Sequence, residues 1–160
     1  MPRSTSAGIL LYRLQPETEV LIAHMGGPYW ASKDAGAWSI PKGEYAEGEE
    51  SALDAARREF REELGVDAPD SPFAELGTFP YSSGKRVTVF VADGTGFSLD
   101  ELEFGEFELE WPPRSGRTAS FPEVDRVEWM PLDEAREKLV KGQRPAVDQL
   151  EEHLSQAAEG

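Results

Sequence analysis

Apolar positions along this chain follow two rhythms. Near its start, Gly8-Ile9-Leu10-Leu11-Tyr12 and Val20-Leu21-Ile22-Ala23 are continuous apolar runs separated by a polar turn around Gln15-Pro16-Glu17. Short runs bounded by turn residues predict strands, here over residues 6–14 and 19–24. The Gly-rich, aromatic stretch 25–37 predicts a loop able to line a pocket, and 38–40 a short strand. From residue 51 the rhythm changes. Leu53, Ala56, Phe60 and Leu64 recur at spacings of three, four and four, a single stripe at about 100° per residue that predicts an amphipathic helix over residues 51–64. Ser51 is placed to cap its start, with Asp54 three residues on, and Gly65 to stop it. Beyond it, residues 74–81 and 86–92 flank Ser82-Ser83-Gly84-Lys85 as a hairpin. Residues 107–111 and 127–130 read as strands. Residues 132–140 and 146–154 read as helices interrupted by Gly142 and Pro145, with 156–160 fraying. Mixed strands with helices before and after predict layered α/β or α+β architecture. With no repeat or linker, residues 1–160 are expected to form one domain.

The helix carries an unusual polar face. Glu59, Glu62 and Glu63 stand at i, i+3 and i+4, which places all three carboxylates on one side. Like charges at these offsets oppose helix formation by about 0.2–0.5 kcal/mol per pair. Arg57, Arg58 and Arg61 lie on the other side, where Arg58 reaches Asp54 and Glu62 at i±4. No basic residue is expected to offset Glu59 and Glu63 directly. The spacing alone leaves two readings open, a solvated acidic face or a face that holds a cation.

Composition narrows the chemistry. The chain has 160 residues, 39% hydrophobic, with four Trp and eight Phe, enough for one packed core. No apolar run approaches the ~18–20 residues of a membrane span. The opening apolar run is too short for a signal segment and is followed by Arg13, so the cytoplasm is the expected compartment. There is no Cys, which removes disulfides, thiolate nucleophiles and Cys-ligated zinc together. The two His residues, His24 and His153, are expected to be structural and exposed, respectively. Clustered carboxylates without soft ligands favour Mg²⁺ or Mn²⁺.

A net charge of −15 argues against nucleic acid polymers and anionic membranes as partners. A phosphate ligand would need a bound cation or local basic groups. Candidates for the latter are Lys33, Lys42, Lys85, Arg86, Arg114 and Arg117, with Lys42 first because it abuts Gly43, and the Arg114/Arg117 loop next. Trp38 and Trp129 are expected in the core. Tyr29, Trp30, Tyr81, Trp111 and Phe121 lie in or beside loops, where one or two are placed to stack on a base. Tyr81 joins Lys42, Arg114 and Arg117 in the expected substrate-binding set.

Residues 43–66, GEYAEGEESALDAARREFREELGV, resemble the signature of the Nudix hydrolase superfamily. That signature is Gly, five residues, Glu, seven residues, Arg-Glu, a bulky aliphatic, any residue, Glu-Glu, any residue, Gly and an aliphatic. Glu50, Arg58, Glu59, Glu62, Glu63, Gly65 and Val66 fall in place. Phe60 stands where an aliphatic is usual, and six residues rather than five separate Gly43 from Glu50. Trp38-Ser39-Ile40-Pro41-Lys42-Gly43 is similar to the approach to such a box, and Glu123-Val124-Asp125-Arg126-Val127-Glu128-Trp129 to the segment before the family's C-terminal helix. The resemblance implies an α/β/α sandwich with a mixed sheet. It also implies Mg²⁺-dependent (Mn²⁺ possible) hydrolysis of a diphosphate linkage in a nucleoside diphosphate derivative. The approach segment is similar to that of branches acting on nucleoside triphosphates and dinucleoside polyphosphates. ADP-ribose or nucleotide-sugar cleavage, or a non-catalytic nucleotide-binding module, are the alternatives.

Glu59, Glu62 and Glu63, with the Gly43 carbonyl, are the implied metal ligands. Arg58 would orient them with Glu50 as its partner. Glu123 is the implied outside carboxylate, as ligand or base, with Asp125 and Glu110 behind it. The general base stays open between Glu62, Glu63 and Glu123. The implied partner is a small nucleotide, bound by a monomer or homodimer.

Overall fold

The computed structural model describes residues 5–159. β1 (Thr5–Arg13) and β2 (Glu19–Met25) are the two early apolar runs, and they are buried on both faces. That is why they read as continuous rather than alternating. Even and odd positions nevertheless separate. Ala7, Ile9, Leu11, Leu21 and Ala23 enter one core, and Leu10, Val20 and Ile22 enter the other.

β3 (Trp38–Ser39) pairs antiparallel with β2. β4 (Lys42–Glu44) pairs antiparallel with the start of β1. α1 (Ala52–Leu64) follows, capped as its sequence demands. Ser51 Oγ accepts from Asp54 N–H at 3.1 Å, and Gly65 adopts the left-handed φ of 78° while its N–H donates to the Arg61 carbonyl. The buried face is Ala55, Ala56, Phe60 and Leu64, with Leu53 only half-buried.

β5 (Ala74–Pro80) and β6 (Arg86–Asp93) form the expected hairpin, and β6 runs parallel to β1 along its whole length. β7 (Glu106–Glu110) and β8 (Thr118–Pro122) make a separate two-stranded sheet. β9 (Val124–Pro131) returns to pair with β2. The main sheet thus has seven strands, with the path β3-β2-β1-β6-β5 and with β4 on β1 and β9 on β2.

α1 covers one face of this mixed sheet. α2 (Leu132–Lys138) and α3 (Arg144–Glu159) cover the other, packing Ala135, Leu139, Ala146, Val147 and Leu150 on Val87, Val89 and Val91. The three layers are the expected α/β/α sandwich. Among the described residues no helix is long and apolar enough to cross a membrane.

Several local expectations need correction. β4 and β8 were not foreseen: β4 is a three-residue strand defined by its distant partner β1, and β8 pairs with its neighbour β7 across the irregular turn 111–117. β9 begins at Val124, three residues before the expected strand. α2 ends at Lys138, and a short 3₁₀ turn, Lys141–Gln143, leads straight into α3. Pro145 does not interrupt this helix, since it occupies the first turn, where its missing N–H is not needed. α3 also continues through residues 156–159 instead of fraying. Trp38 is fully buried, whereas Trp129 is half-buried under the Arg13 guanidinium, 4.6 Å from its ring centroid. His153 is half-buried rather than exposed.

The segment leading to β4 is pinned by a fully buried Gln143. Its Oε1 accepts from Ile40 N–H at 2.7 Å, and its Nε2 donates to Ser39 Oγ at 2.9 Å and Tyr81 Oη at 2.8 Å. Gln143→Leu keeps the bulk but leaves the Ile40 N–H without its acceptor. It should lower stability by about 1–3 kcal/mol, read from the chemical-denaturation midpoint at unchanged slope.

Candidate active site

α1 and β4 meet at the acidic face. Phe60 and Leu64 anchor α1 on the sheet, which turns Glu59 and Glu63 toward β4. Gly43 permits this approach. A Cβ built there would fall on the Glu59 carboxyl, so that carboxyl fills the space a side chain would need. Lys42 N–H reaches Glu63 Oε2 at 3.3 Å.

These residues line a cavity of about 370 Å³ with Glu123, Met25, Gly26, Trp30, Ser39 and Phe107. A larger cavity of about 730 Å³ lies between the β1–β2 turn and the end of α3. Its lining includes Glu17, Asp133 and Glu151 and, among the described residues, no basic side chain, so it has nothing to attract an anion.

Arg58 corrects the expectation that nothing basic offsets Glu59. Its guanidinium turns away from Asp54 and into the carboxylates. Nη2 and Nε hold Glu50 at 2.6 and 3.2 Å, and Nη1 reaches Glu59 at 2.8 Å and Glu62 at 3.3 Å. The bond to Glu50 is the main reason that Arg58 holds its proton more tightly than usual and Glu50 gives up its proton more readily.

The remaining carboxyls are driven the other way. Burial pushes Glu63 up to about 8; Lys42 opposes this shift, and Glu123 and Glu59 add to it. Burial also raises Glu59, against the Arg58 bond and with Glu62 adding. Glu123 is raised by burial and then by Glu59 and Glu62. Carboxyls that resist ionisation because they are desolvated and mutually repelling are a donor set that a hard divalent cation would relieve. The residues therefore fit Mg²⁺ or Mn²⁺, with Glu59, Glu63, Glu123 and the Gly43 backbone as the groups at hand. Among the described residues no three His, Cys, Asp or Glu side chains already converge into a cage. Arg58 holds Glu59 and Glu62 in its fork instead.

The other expected site residues separate. Glu62 is on the face but exposed and bonded to Arg58, outside the cavity lining. Arg114 and Arg117 are exposed in the β7–β8 turn, outside the cavity, and Glu110 accepts there from Arg114 N–H at 2.8 Å. Tyr81 is on the α3 side, against Gly142 and bonded to Gln143, and does not line the cavity. Asp125 is engaged by His24 Nδ1 at 2.8 Å. Lys85 is exposed, and Arg86 is tied to Thr5 and Glu47. Met25, Gly26 and Trp30 line the cavity, as expected of the 25–37 loop, whereas Ser39 and Phe107 line it and were not anticipated in that role. The only signal for Phe107 was its alternation with Leu109 and Trp111, which read as a strand.

The NUDIX domain family matches residues 2–150. An uncharacterised 17.7 kDa protein from the e–segB intergenic region of Enterobacteria phage T4 is 36% identical over 89 residues, which take in 55% of this chain and 58% of that relative. Among solved structures, a Caenorhabditis elegans Ap4A hydrolase binary complex superimposes with a TM-score of 0.64 at 20% identity, covering 95% of this chain and 98% of that one. The NUDIX domain of Shewanella oneidensis NrtR complexed with ADP ribose gives 0.63 at 16% identity, covering 96% and 90%. A MutT protein from Methanosarcina mazei Go1 gives 0.61 at 20%, covering 95% of each. The matched family spans nearly the whole chain, its signature helix carries the carboxylates, and the fold is that of these structures: the chain belongs to the Nudix hydrolase superfamily.

Proposed function

We propose that this Nudix protein hydrolyses a phosphoric anhydride in a nucleoside diphosphate derivative, with Mg²⁺ as its metal, and that residues 1–160 act as one catalytic domain. The observation that carries the proposal is the meeting of desolvated carboxyls with Lys42 in a single cavity. Glu59, Glu63 and the Gly43 carbonyl would hold the metal, with Glu62 and Glu123 within electrostatic reach. When bound, the metal supplies positive charge against the phosphates and makes a nearby water easier to deprotonate.

The chain's own residues do the rest. Lys42 carries a positive charge on the cavity wall where a polyphosphate would lie. Arg58 fixes the rotamers of Glu59 and Glu62 and is itself fixed by Glu50. Glu123 enters from β9's side and accepts the proton of the attacking water. Its raised proton affinity suits that role. Cysteine is absent, and His24 is committed to Asp125 and the Lys33 carbonyl. Water, not a side chain, is therefore the nucleophile in this reading. Nucleoside triphosphates and dinucleoside polyphosphates are the preferred substrates, the latter supported by likeness to the Ap4A hydrolase fold. ADP-ribose is the second reading, motivated by the Shewanella domain bound to it.

A panel of nucleotides incubated with Mg²⁺, with phosphate and pyrophosphate release followed, tests the reading. Turnover should vanish in excess EDTA and return with Mg²⁺ or Mn²⁺. Full activity without metal would end the proposal. Glu63→Gln keeps the shape of a ligand but removes its charge. It should lower kcat by more than the ~10–100-fold typical of losing an outer partner of a metal site, while stability without metal at neutral pH holds or rises, because a buried carboxyl that must take up a proton on folding is gone.

Glu63 also predicts a pH dependence of stability. Its proton affinity is higher folded, at about 8, than its ordinary 4.5, so the folded state binds more protons between those values. Stability without metal is therefore full below about pH 4.5 and falls as pH rises toward about 8. Glu50 and Asp34 are lowered instead, and their contribution is lost only in acid, below that window. Thermal unfolding across pH 5–8 in EDTA should show a falling melting temperature. Saturating Mg²⁺, or Glu63→Gln, should flatten the fall.

A further inference from the structure

The lining of the cavity is of two chemical kinds. One is Lys42, Gly43, Glu59, Glu63 and Glu123. The other is Ala23, Met25, Trp30, Phe107 and Val124, with Ser39, among the described residues, as its one polar side chain. Ser39 is already committed: its Oγ donates to the Ile40 carbonyl at 2.8 Å and accepts from Gln143 Nε2 at 2.9 Å.

The two aromatic side chains come from different elements, the 25–37 loop and β7. The Trp30 backbone N–H donates to the Gly27 carbonyl at 3.2 Å, and the Lys33 ammonium lies 5.3 Å from the indole centroid. The Lys33 carbonyl in turn accepts from Nε2 of the fully buried His24 at 2.7 Å, which ties this loop to Asp125 at the start of β9. Phe107 projects from β7 opposite Phe121, with ring centroids 6.2 Å apart. Its ring closes on Gly27, where any Cβ would come within 2.9 Å of it.

We propose that Trp30 and Phe107 form the base-stacking subsite of this protein, and that it takes a nucleobase by ring area alone, with no side chain reading the base's edge. This rests on the hydrolase reading and specifies what the aromatic part of the lining does. A polyphosphate drawn to Lys42 and the carboxylates brings its base into the same cavity as Trp30 and Phe107. Stacking on an aromatic face tolerates any base, because every base has a π-face. Strong discrimination needs buried polar groups that the wrong base leaves unpaired, and the one polar side chain available here is spent on the protein's own backbone and Gln143. Purines, with more ring area, bind better than pyrimidines, and adenine and guanine are treated alike.

The test pairs kinetics with binding on wild type, Trp30→Ala, Trp30→Phe and Phe107→Leu. Steady-state rates are taken with ATP, GTP, CTP and inorganic tripolyphosphate. Titration calorimetry follows binding of adenosine and guanosine without metal. Trp30→Ala should raise KM for ATP and GTP about tenfold or more, leave kcat within about twofold, and leave the KM for tripolyphosphate unchanged. Trp30→Phe should recover most of the loss. Should Trp30→Ala fail to fold, Phe107→Leu, on a half-exposed strand, carries the same expectation.

A KM for tripolyphosphate that rises along with that for ATP would mark a structural defect and overturn the subsite. So would a preference between ATP and GTP beyond about a hundredfold. If tripolyphosphate is turned over as well as ATP, the hydrolase reading stands and the subsite falls. If adenosine binding is lost in Trp30→Ala while no nucleotide is hydrolysed, the subsite stands and the hydrolase reading falls.

Discussion

Taking the Glu63 carboxyl out of water disfavours its charge, and the elements that bury it are those that order the rest of the molecule. α1 cannot rotate to expose it, because Phe60 and Leu64 are fully buried against β1 and β6 on the same helix. β4 cannot retreat, because its ladder with β1 runs through Ser6, Ala7 and Gly8. Lys42 sits where that ladder meets the helix and gives the carboxyl both an N–H and a nearby positive charge. The strain is electrostatic rather than steric, and it is confined to one wall of one cavity.

Arg58 distributes what remains. A single guanidinium engages Glu50, Glu59 and Glu62, so the rotamers of three carboxylates are set by one planar group. Planarity and fixed donor directions make this possible, and a lysine there would supply charge without geometry. Glu50 closes the arrangement from the loop ahead of α1. The longer spacing between Gly43 and Glu50 is absorbed as a turn in which Glu49 N–H returns to the Ala46 carbonyl and Glu47 bridges to Glu50. The extra residue leaves Glu50 within reach of Arg58.

What was legible in the sequence was local. The stripe of α1, its Ser51 cap and its Gly65 stop depend on neighbours within one helical turn, and the structure follows them. The β5–β6 hairpin is likewise announced by its own turn. β4 and the early start of β9 were illegible because their pairing partners lie far away in the chain, and β8 because a Pro- and Ser-rich turn, not a short hairpin signal, joins it to β7. α3 was misread at both ends, since proline in a first turn and an exposed last turn look the same in sequence as a break and a frayed end. At the site, spacing identified the carboxylate face and Lys42 beside it. It misjudged Arg58, whose side chain swings further round the helix than its backbone position implies. It also named Tyr81, which loops toward α3, and passed over Phe107, whose place on the cavity is decided by how a separate sheet docks.

That separate sheet is attached to the carboxylate helix through a short run of backbone bonds: Glu103 N–H to Leu64, Gly105 N–H to Glu63, and Glu123 N–H to Gly105. These attachments require glycine at Gly65 and Gly105, where a Cβ would meet the Glu103 and Glu62 carbonyl oxygens at 2.3 and 2.6 Å. The other positions along the seam contribute only main-chain groups. Side chains of β7 and β8 can therefore change while the bonds to α1 stay in place. The cavity wall that carries Phe107 is thus open to remodelling in a way that the wall carrying the α1 carboxylates is not.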